Sequence, residues 1–305
     1  MPWHHTNGVN NQLIAPLFAG ASVVLIDRFH AADIPAQLEE FAPTILTGVP
    51  TMYARILDHL GDQPARTALR MLRCGSAPLN TALQTQIEEA FQMPLIVSYG
   101  LSEATCTSAM NPPSARRIGS VGTALRGQEL RLFVPESTEL SRPGTEGEIG
   151  IGGACVMRGY RNQAIDSPVA QGWLRTGDIG RLDDDGYLYV TGRLGEAILR
   201  GGENLSPQLI EDALSRHPSV AACCVVGAPH ADLGETPVAF VRLHRPPPPS
   251  AGELRDLVTQ HLSRSYAPGD IRFVDELPEN SVGKVDRRAL RQILASATED
   301  TRTST

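Results

Sequence analysis

The sequence predicts an α/β protein: a large α/β domain carrying a β-rich subdomain, followed by a small α+β C-terminal domain. Three observations predict it. Between residues 21 and 98, short apolar runs alternate with helically spaced stretches, as parallel strands joined by helices require. From Gly119 to Gly192 the pattern changes to short strands and turns. Beyond Gly195 a separate strand–helix unit begins, so the domains are expected at residues 1–193 and 194–295, with a polar tail at 296–305.

The elements follow in order. Ala21-Ser22-Val23-Val24-Leu25-Ile26 reads as a buried strand and residues 32–41 as a helix. Residues 44–47 form a second strand, and Pro50 suits the first turn of a helix to Leu60. A strand at 69–73, a helix at 80–91 and a strand at 95–98 complete the alternation. The β-rich part has its clearest strands at 129–134, 147–152 and 187–191, with a hairpin over the Asp-Gly turn at Asp185-Gly186. In the last unit, strands are expected at 197–199, 221–226, 238–243 and 271–274. Helices are expected from the N-cap Ser206 to about Arg216 and from Glu253 to Ser263. Pro246-Pro247-Pro248-Pro249 reads as a stiff surface connector, and the chain from Ala295 as a frayed tail.

Composition excludes several classes. The 305 residues are 41% hydrophobic and 20% charged, ordinary for a globular protein with sizeable cores. A net charge of -7 gives no reason to expect a nucleic-acid partner. No apolar run approaches the roughly 20 residues of a membrane span, and a cytoplasmic location is the expectation. The five cysteines lack Cys-x-x-Cys spacing and read as free thiols, not a zinc site.

Sheets of this kind bind ligands at the carboxyl ends of their strands. Two loops stand there: Gly75-Ser76-Ala77 and Tyr99-Gly100-Leu101-Ser102-Glu103-Ala104-Thr105. Glycine lets the backbone approach a ligand, though either loop alone also reads as an ordinary strand-to-helix turn. Tyr99 offers a face for a nucleobase, Ser102 a hydroxyl for phosphate, and Glu103 a hard oxygen for Mg²⁺. Asp178 suits a ribose diol, and the hairpin sets Arg193 at its other end. Lys284, on a glycine-containing loop, would neutralise charge developing on a phosphoryl oxygen. Each has a plain counterpart: Ser102 and Glu103 as helix caps, Asp178 in a turn, Lys284 as a solvated charge.

Taken together these stretches resemble the AMP-forming acyl-CoA synthetases, within the wider adenylate-forming group. The resemblance runs in register through Trp3-His4-His5-Thr6-Asn7-Gly8, Gly75-Ser76-Ala77-Pro78-Leu79, the Tyr99 loop, Gly147-Glu148-Ile149 and Gly172-Trp173-Leu174-Arg175-Thr176-Gly177-Asp178. It continues through Gly192-Arg193, Arg200-Gly201-Gly202-Glu203-Asn204-Leu205-Ser206-Pro207 and Leu277-Pro278 to Gly283-Lys284. It implies ATP, Mg²⁺ and coenzyme A as the small-molecule partners of a carboxylic acid, which is first adenylated and then passed to a thiol. By position, Gly75, Ser76 and Ala77 would line adenine and the α-phosphate. Tyr99 and Gly100 would pack by the base, Ser102 would touch phosphate, and Glu103 would hold Mg²⁺. Asp178 and Arg193 would grip the ribose. Lys284 would bridge carboxylate and α-phosphate, Gly201, Gly202 and Glu203 would meet the pantetheine arm, and His5 would sit by the acyl pocket. A histidine pair at His4-His5 as metal ligand is the poorer reading.

Two departures stand out. The resemblance implies a Gly-rich phosphate loop with a lysine ahead of the histidine motif, whereas Gly-Lys occurs here only at Gly283-Lys284. An incomplete large domain is therefore expected, as in the C-terminal portion of a synthetase with impaired or no activity alone. The alternatives are a non-catalytic remnant and one half of an enzyme whose N-terminal half is a separate chain. The second departure is Gly195, where the family has Lys or Asp at the hinge. The Arg-Gly-Gly-Glu loop, with no carrier-like segment after Lys284, favours free coenzyme A over a carrier protein. Fatty, aromatic and short dicarboxylic acids all remain open.

Overall fold

The computed structural model describes residue 3 and residues 5–60, 68–162, 166–244, 248–280 and 283–303. His4, Pro246, Pro247, Ser281 and Val282 lie outside the described residues. The chain divides into two compact units, Met1–Val190 and Thr191–Thr305.

The first unit opens with a π-helical segment, Asn7–Ile14, running into α1 (Ala15–Phe18). After α2 (Ile34–Phe41) come β1 (Ile45–Gly48), α3 (Pro50–Leu60), β2 (Met71–Gly75), α4 (Thr81–Phe91) and β3 (Leu95–Tyr99). β1, β2 and β3 pair in parallel, the alternation read from the sequence. Two short antiparallel strands, β4 (Ala109–Met110) and β5 (Thr123–Ala124), extend the same sheet. Its helical face buries Leu38, Tyr53, Ile56, Leu72, Ile87, Phe91 and Leu95 as one apolar cluster. α4 begins where Asn80 caps it: the Asn80 side chain accepts from the Leu83 N–H at 2.7 Å.

A second sheet follows: β6 (Gln128–Phe133), β7 (Gly147–Gly153), β8 (Val169–Ala170), β9 (Trp173–Leu182) and β10 (Leu188–Arg193). Its order is β10-β9-β7-β6, with β8 beside β9. β9 and β10 are joined through the Asp183–Gly186 turn, where the Asp183 N–H donates to Tyr187 O at 3.1 Å. Ile149, Ile151, Leu174, Leu188 and Ala104 form the core of this part.

The second unit holds β11 (Ile198–Arg200), β12 (Glu203–Leu205), α5 (Pro207–Leu214), β13 (Val220–His230), β14 (Gly234–Leu243), α6 (Ala251–His261), β15 (Asp270–Phe273) and α7 (Arg287–Thr303). β13 and β14 form a long antiparallel pair, and β15 joins β14 in parallel. The sheet buries one cluster under α5 and α6 and another under α7.

Three local expectations are corrected. Residues 21–26 form no strand, and Val24, Leu25 and Ile26 are exposed at 47%, 58% and 40%. An apolar run becomes a strand only where another strand takes up its backbone groups, and among the described residues none pairs with it. The tail is instead helical to Thr303; residues 287–303 contain neither Gly nor Pro and are rich in helix formers. Ser206 occupies the N-cap of α5, but its hydroxyl donates to Thr191 O at 2.7 Å rather than capping the helix.

Candidate active site

The loops after β2 and β3 are built on strained backbone. Ser76, Thr105 and Cys106 have φ of 70°, 59° and 89°. Non-glycine residues in that region cost about 1–3 kcal/mol each and persist only where the surroundings hold them, which concentrates them at functional sites. Gly100 is glycine for a packing reason, since a Cβ there would lie 2.0 Å from Cys106 O. The chain folds back on itself between Gly100 and Cys106 and presents Ser102–Ala104 as a single 3-10 turn.

Hydrogen bonds draw the separate motifs together. Asn7 Nδ2 donates to Ser76 Oγ at 2.8 Å, and the hydroxyls of Thr6 and Ser102 lie 3.2 Å apart. Asn11 Nδ2 donates to Asn7 Oδ1 at 3.0 Å and to Thr107 Oγ1 at 3.2 Å. His5 accepts the Asn7 N–H on Nδ1 at 3.1 Å. The histidine motif, the Ser76 loop and the Tyr99–Thr105 loop thus share one polar surface. The Tyr99 hydroxyl donates to Asp178 Oδ2 at 2.7 Å, tying β3 to β9. The Tyr160 hydroxyl donates to Glu103 Oε1 at 2.9 Å, and that bond raises the phenol above its usual pKa. His5, Gly75, Ser76, Ala77, Tyr99, Gly100, Ser102, Glu103 and Asp178 all fall in this unit.

Arg193, Gly195, Gly201, Gly202, Glu203 and Lys284 belong to the second unit. Gly195 has φ +76° with open space where a Cβ would stand, so only conformation selects glycine there. Gly201 and Gly202, at φ +56° and +87°, turn the chain from β11 into β12 and leave Glu203 exposed. Lys284 stands on a closed loop. Its N–H donates to Asn280 Oδ1 at 3.1 Å, and its carbonyl accepts the Asn280 N–H at 2.8 Å.

Arg287, just beyond, anchors that loop. It donates to both Glu211 oxygens at 2.7 and 2.9 Å and to Val225 O at 2.6 Å, and lies 3.3 Å from Glu196. Sequence reasoning missed this anchor, as it missed Asn7, Asn11, Thr107 and Tyr160. A generic Arg or Asn carries no local signature; only the turn beside Gly283-Lys284 pointed toward Arg287.

No helix among the described residues is long and apolar enough to cross a membrane.

The comparisons agree with this arrangement. The sequence matches AMP-binding enzyme over residues 1–161 and AMP-binding enzyme C-terminal domain over 209–284. A 2-succinylbenzoate–CoA ligase of Bacillus pumilus is 36% identical over 297 residues, covering 95% of this chain and 59% of the relative. A sulfoacetate–CoA ligase of Cupriavidus necator is 36% identical over 296 residues, covering 95% and 57%. Among solved structures, O-succinylbenzoate coenzyme A synthetase of Bacillus subtilis in complex with ATP and magnesium ion superposes with a TM-score of 0.80 at 31% identity, covering 97% of this chain and 60% of that one. The chain therefore spans about three-fifths of the length of the relatives it matches, and it belongs to the AMP-binding enzyme family.

Proposed function

We propose that this chain carries the adenylate cradle and the mobile domain of an ATP-dependent carboxylic acid–CoA ligase. The carrying observation is the shared polar surface, where Asn7 meets Ser76 at 2.8 Å and Thr6 meets Ser102 at 3.2 Å. Three stretches far apart in sequence converge there, at the ends of parallel strands where nucleotides bind.

In this reading Asp178, held by Tyr99, accepts the ribose hydroxyls, with Arg193 as their second partner. Ser76 and Ser102 face the α-phosphate, flanked by Gly75, Ala77 and Gly100. A carboxylate oxygen of the acid attacks the α-phosphorus, and the bond to pyrophosphate breaks. Lys284 sits against the phosphoryl oxygens on which negative charge grows. The thiol sulfur of coenzyme A, led in past Gly201, Gly202 and Glu203, then attacks the acyl carbon and AMP leaves. Gly195 lets the second unit turn between the steps. His5 lies toward the acid.

Magnesium fits Glu103. It is a hard oxygen donor on a constrained turn, held by a neutral phenol rather than by a competing cation. Among the described residues no group of three or more His, Cys, Asp or Glu could hold a metal, which suits an ion that binds largely through phosphates. When bound, it supplies positive charge to the triphosphate.

Two relatives are named for acids that carry a second acidic group, 2-succinylbenzoate and sulfoacetate. The acid taken here belongs to the same broad class of carboxylates.

The test is pyrophosphate release from ATP, Mg²⁺, coenzyme A and a panel of carboxylates. Lys284→Ala should lower the rate by roughly a hundredfold or more, the scale of losing one donor to developing charge. Release no faster than that of the variant would remove the reading. A second reading, activity only beside a complementary polypeptide, is favoured by the exposed Phe18 (93%) and Leu25 (58%). It is met if release appears only when the N-terminal part of a related ligase is supplied as a separate chain.

A further inference from the structure

We propose that Arg73 is the counter-ion for a second anionic group on the acid substrate. The acid would then carry, besides the carboxylate to be activated, a further carboxylate or sulfonate. The inference rests on the ligase reading for the identity of the substrate, and on geometry for the site.

β2 points Leu72 and Cys74 into the apolar cluster with Tyr53, Ile87 and Phe91. Arg73 and Gly75 therefore point to the opposite face, where the register brings them beside Ile96 and Ser98 of β3. There the Arg73 guanidinium donates through Nη2 to Thr107 Oγ1 at 3.0 Å and more weakly to Ser98 Oγ at 3.4 Å. Both partners are neutral. Its Nε is buried with no hydrogen-bond partner, and no carboxylate among the described residues lies within ion-pair distance. Burial without a counter-charge holds the group below the usual arginine range. The other inward-facing arginines are matched: Arg175 with Glu148, Arg116 with Glu88, and Arg287 with Glu211. A guanidinium left without an anion in a partly buried setting is costly, and such a cost points to an anion that arrives from outside.

Its position says which anion. Thr107 accepts from Asn11, Asn11 from its other contact donates to Asn7, and Asn7 donates to Ser76, at 3.2, 3.0 and 2.8 Å. A short run of side chains therefore joins the guanidinium to the loop at which the acid is activated. An acid whose reactive carboxylate lies by Ser76 has its far end directed along that run toward Arg73. The planar fork of arginine matches a carboxylate or sulfonate and gains nothing from a methyl or phenyl terminus.

The experiment uses the whole purified chain and matched acids at constant ionic strength: phthalate against benzoate, glutarate against butyrate, sulfoacetate against acetate. Thermal midpoints and calorimetric affinities are measured for the wild type, Arg73→Met and Arg73→Lys. The dianions should raise the wild-type midpoint above their partners and bind at least tenfold more tightly. That advantage should vanish in Arg73→Met and survive, weakened, in Arg73→Lys. Unliganded Arg73→Met should melt no lower than the wild type, because an unpaired charge has been removed. Equal binding of mono- and dianions by the wild type overturns the proposal even if Arg73→Met does not fold, as does an advantage that persists in Arg73→Met. Pyrophosphate release separates the two readings. A dianion advantage without release leaves the Arg73 site standing and removes the ligase reading for this chain. Release driven equally by both kinds of acid does the reverse.

Discussion

The hydrogen bond from Tyr99 to Asp178, 2.7 Å long, fixes one carboxylate oxygen before any nucleotide arrives. A carboxylate held in this way loses little freedom on meeting a diol, so its bonds to ribose contribute nearly their full strength. Hydrogen bonds to a charged group are worth about 1.5–3 kcal/mol. Asp178→Ala should therefore weaken ATP or AMP binding by roughly tenfold to a hundredfold, as titration calorimetry would read it. Tyr99→Phe removes only the orienting bond and should cost less, about tenfold at most. Unchanged affinity in Asp178→Ala would refute the ribose assignment. Both residue types were readable as nucleotide ligands from the Tyr99 loop and the Gly177-Asp178 step. Their bond to each other was not, because 79 positions separate them.

At the scale of elements, α5 carries the clearest electrostatic anomaly. Asp212 is pushed up to about 7, first by burial and then by the neighbouring charge of Glu211. Its acid form is thus favoured in the fold, while the unfolded chain releases the proton near the model value of 3.8. Between those two values the native state holds more protons than the unfolded state, so stability falls as pH rises from about 4 to about 7. Asp212→Asn should flatten that part of the curve of melting midpoint against pH. An identical slope in wild type and variant would show that Asp212 is not the group responsible. Adjacent Glu211 is spent on Arg287 and on the Val225 N–H, at 2.7 Å each. One short helix therefore holds a satisfied and an unsatisfied carboxylate side by side. The helix itself was legible from Ser206-Pro207; the division of labour between its acids depended on α7 packing beside it.

At the scale of the molecule, each unit has its own apolar cores: Leu72, Ile87 and Phe91 in the first, and Val225, Val241 and Leu254 in the second. A unit with a closed core of its own folds independently. The segment 191–305, expressed alone, should give a cooperative urea transition with native-like circular dichroism; a gradual, non-cooperative loss of signal would contradict this. The first unit differs in exposing Ile14, Leu17, Phe18, Val24, Leu25 and Ile26 along its opening segments.

What the sequence determined by itself was local or strictly ordered. Strand–helix alternation, the turn at Asp185-Gly186, the glycine loops and the order of the motifs depend on near neighbours and on spacing, and all are written in the chain. The tertiary structure decided what depends on company. Residues 21–26 have strand composition but no partner strand among the described residues, so they stay extended and exposed. Arg73 looks ordinary in sequence, and its importance comes from the anion it lacks. A hydrogen-bond partner, a counter-charge or a missing one is a property of a neighbourhood, and only the folded chain brings that neighbourhood together.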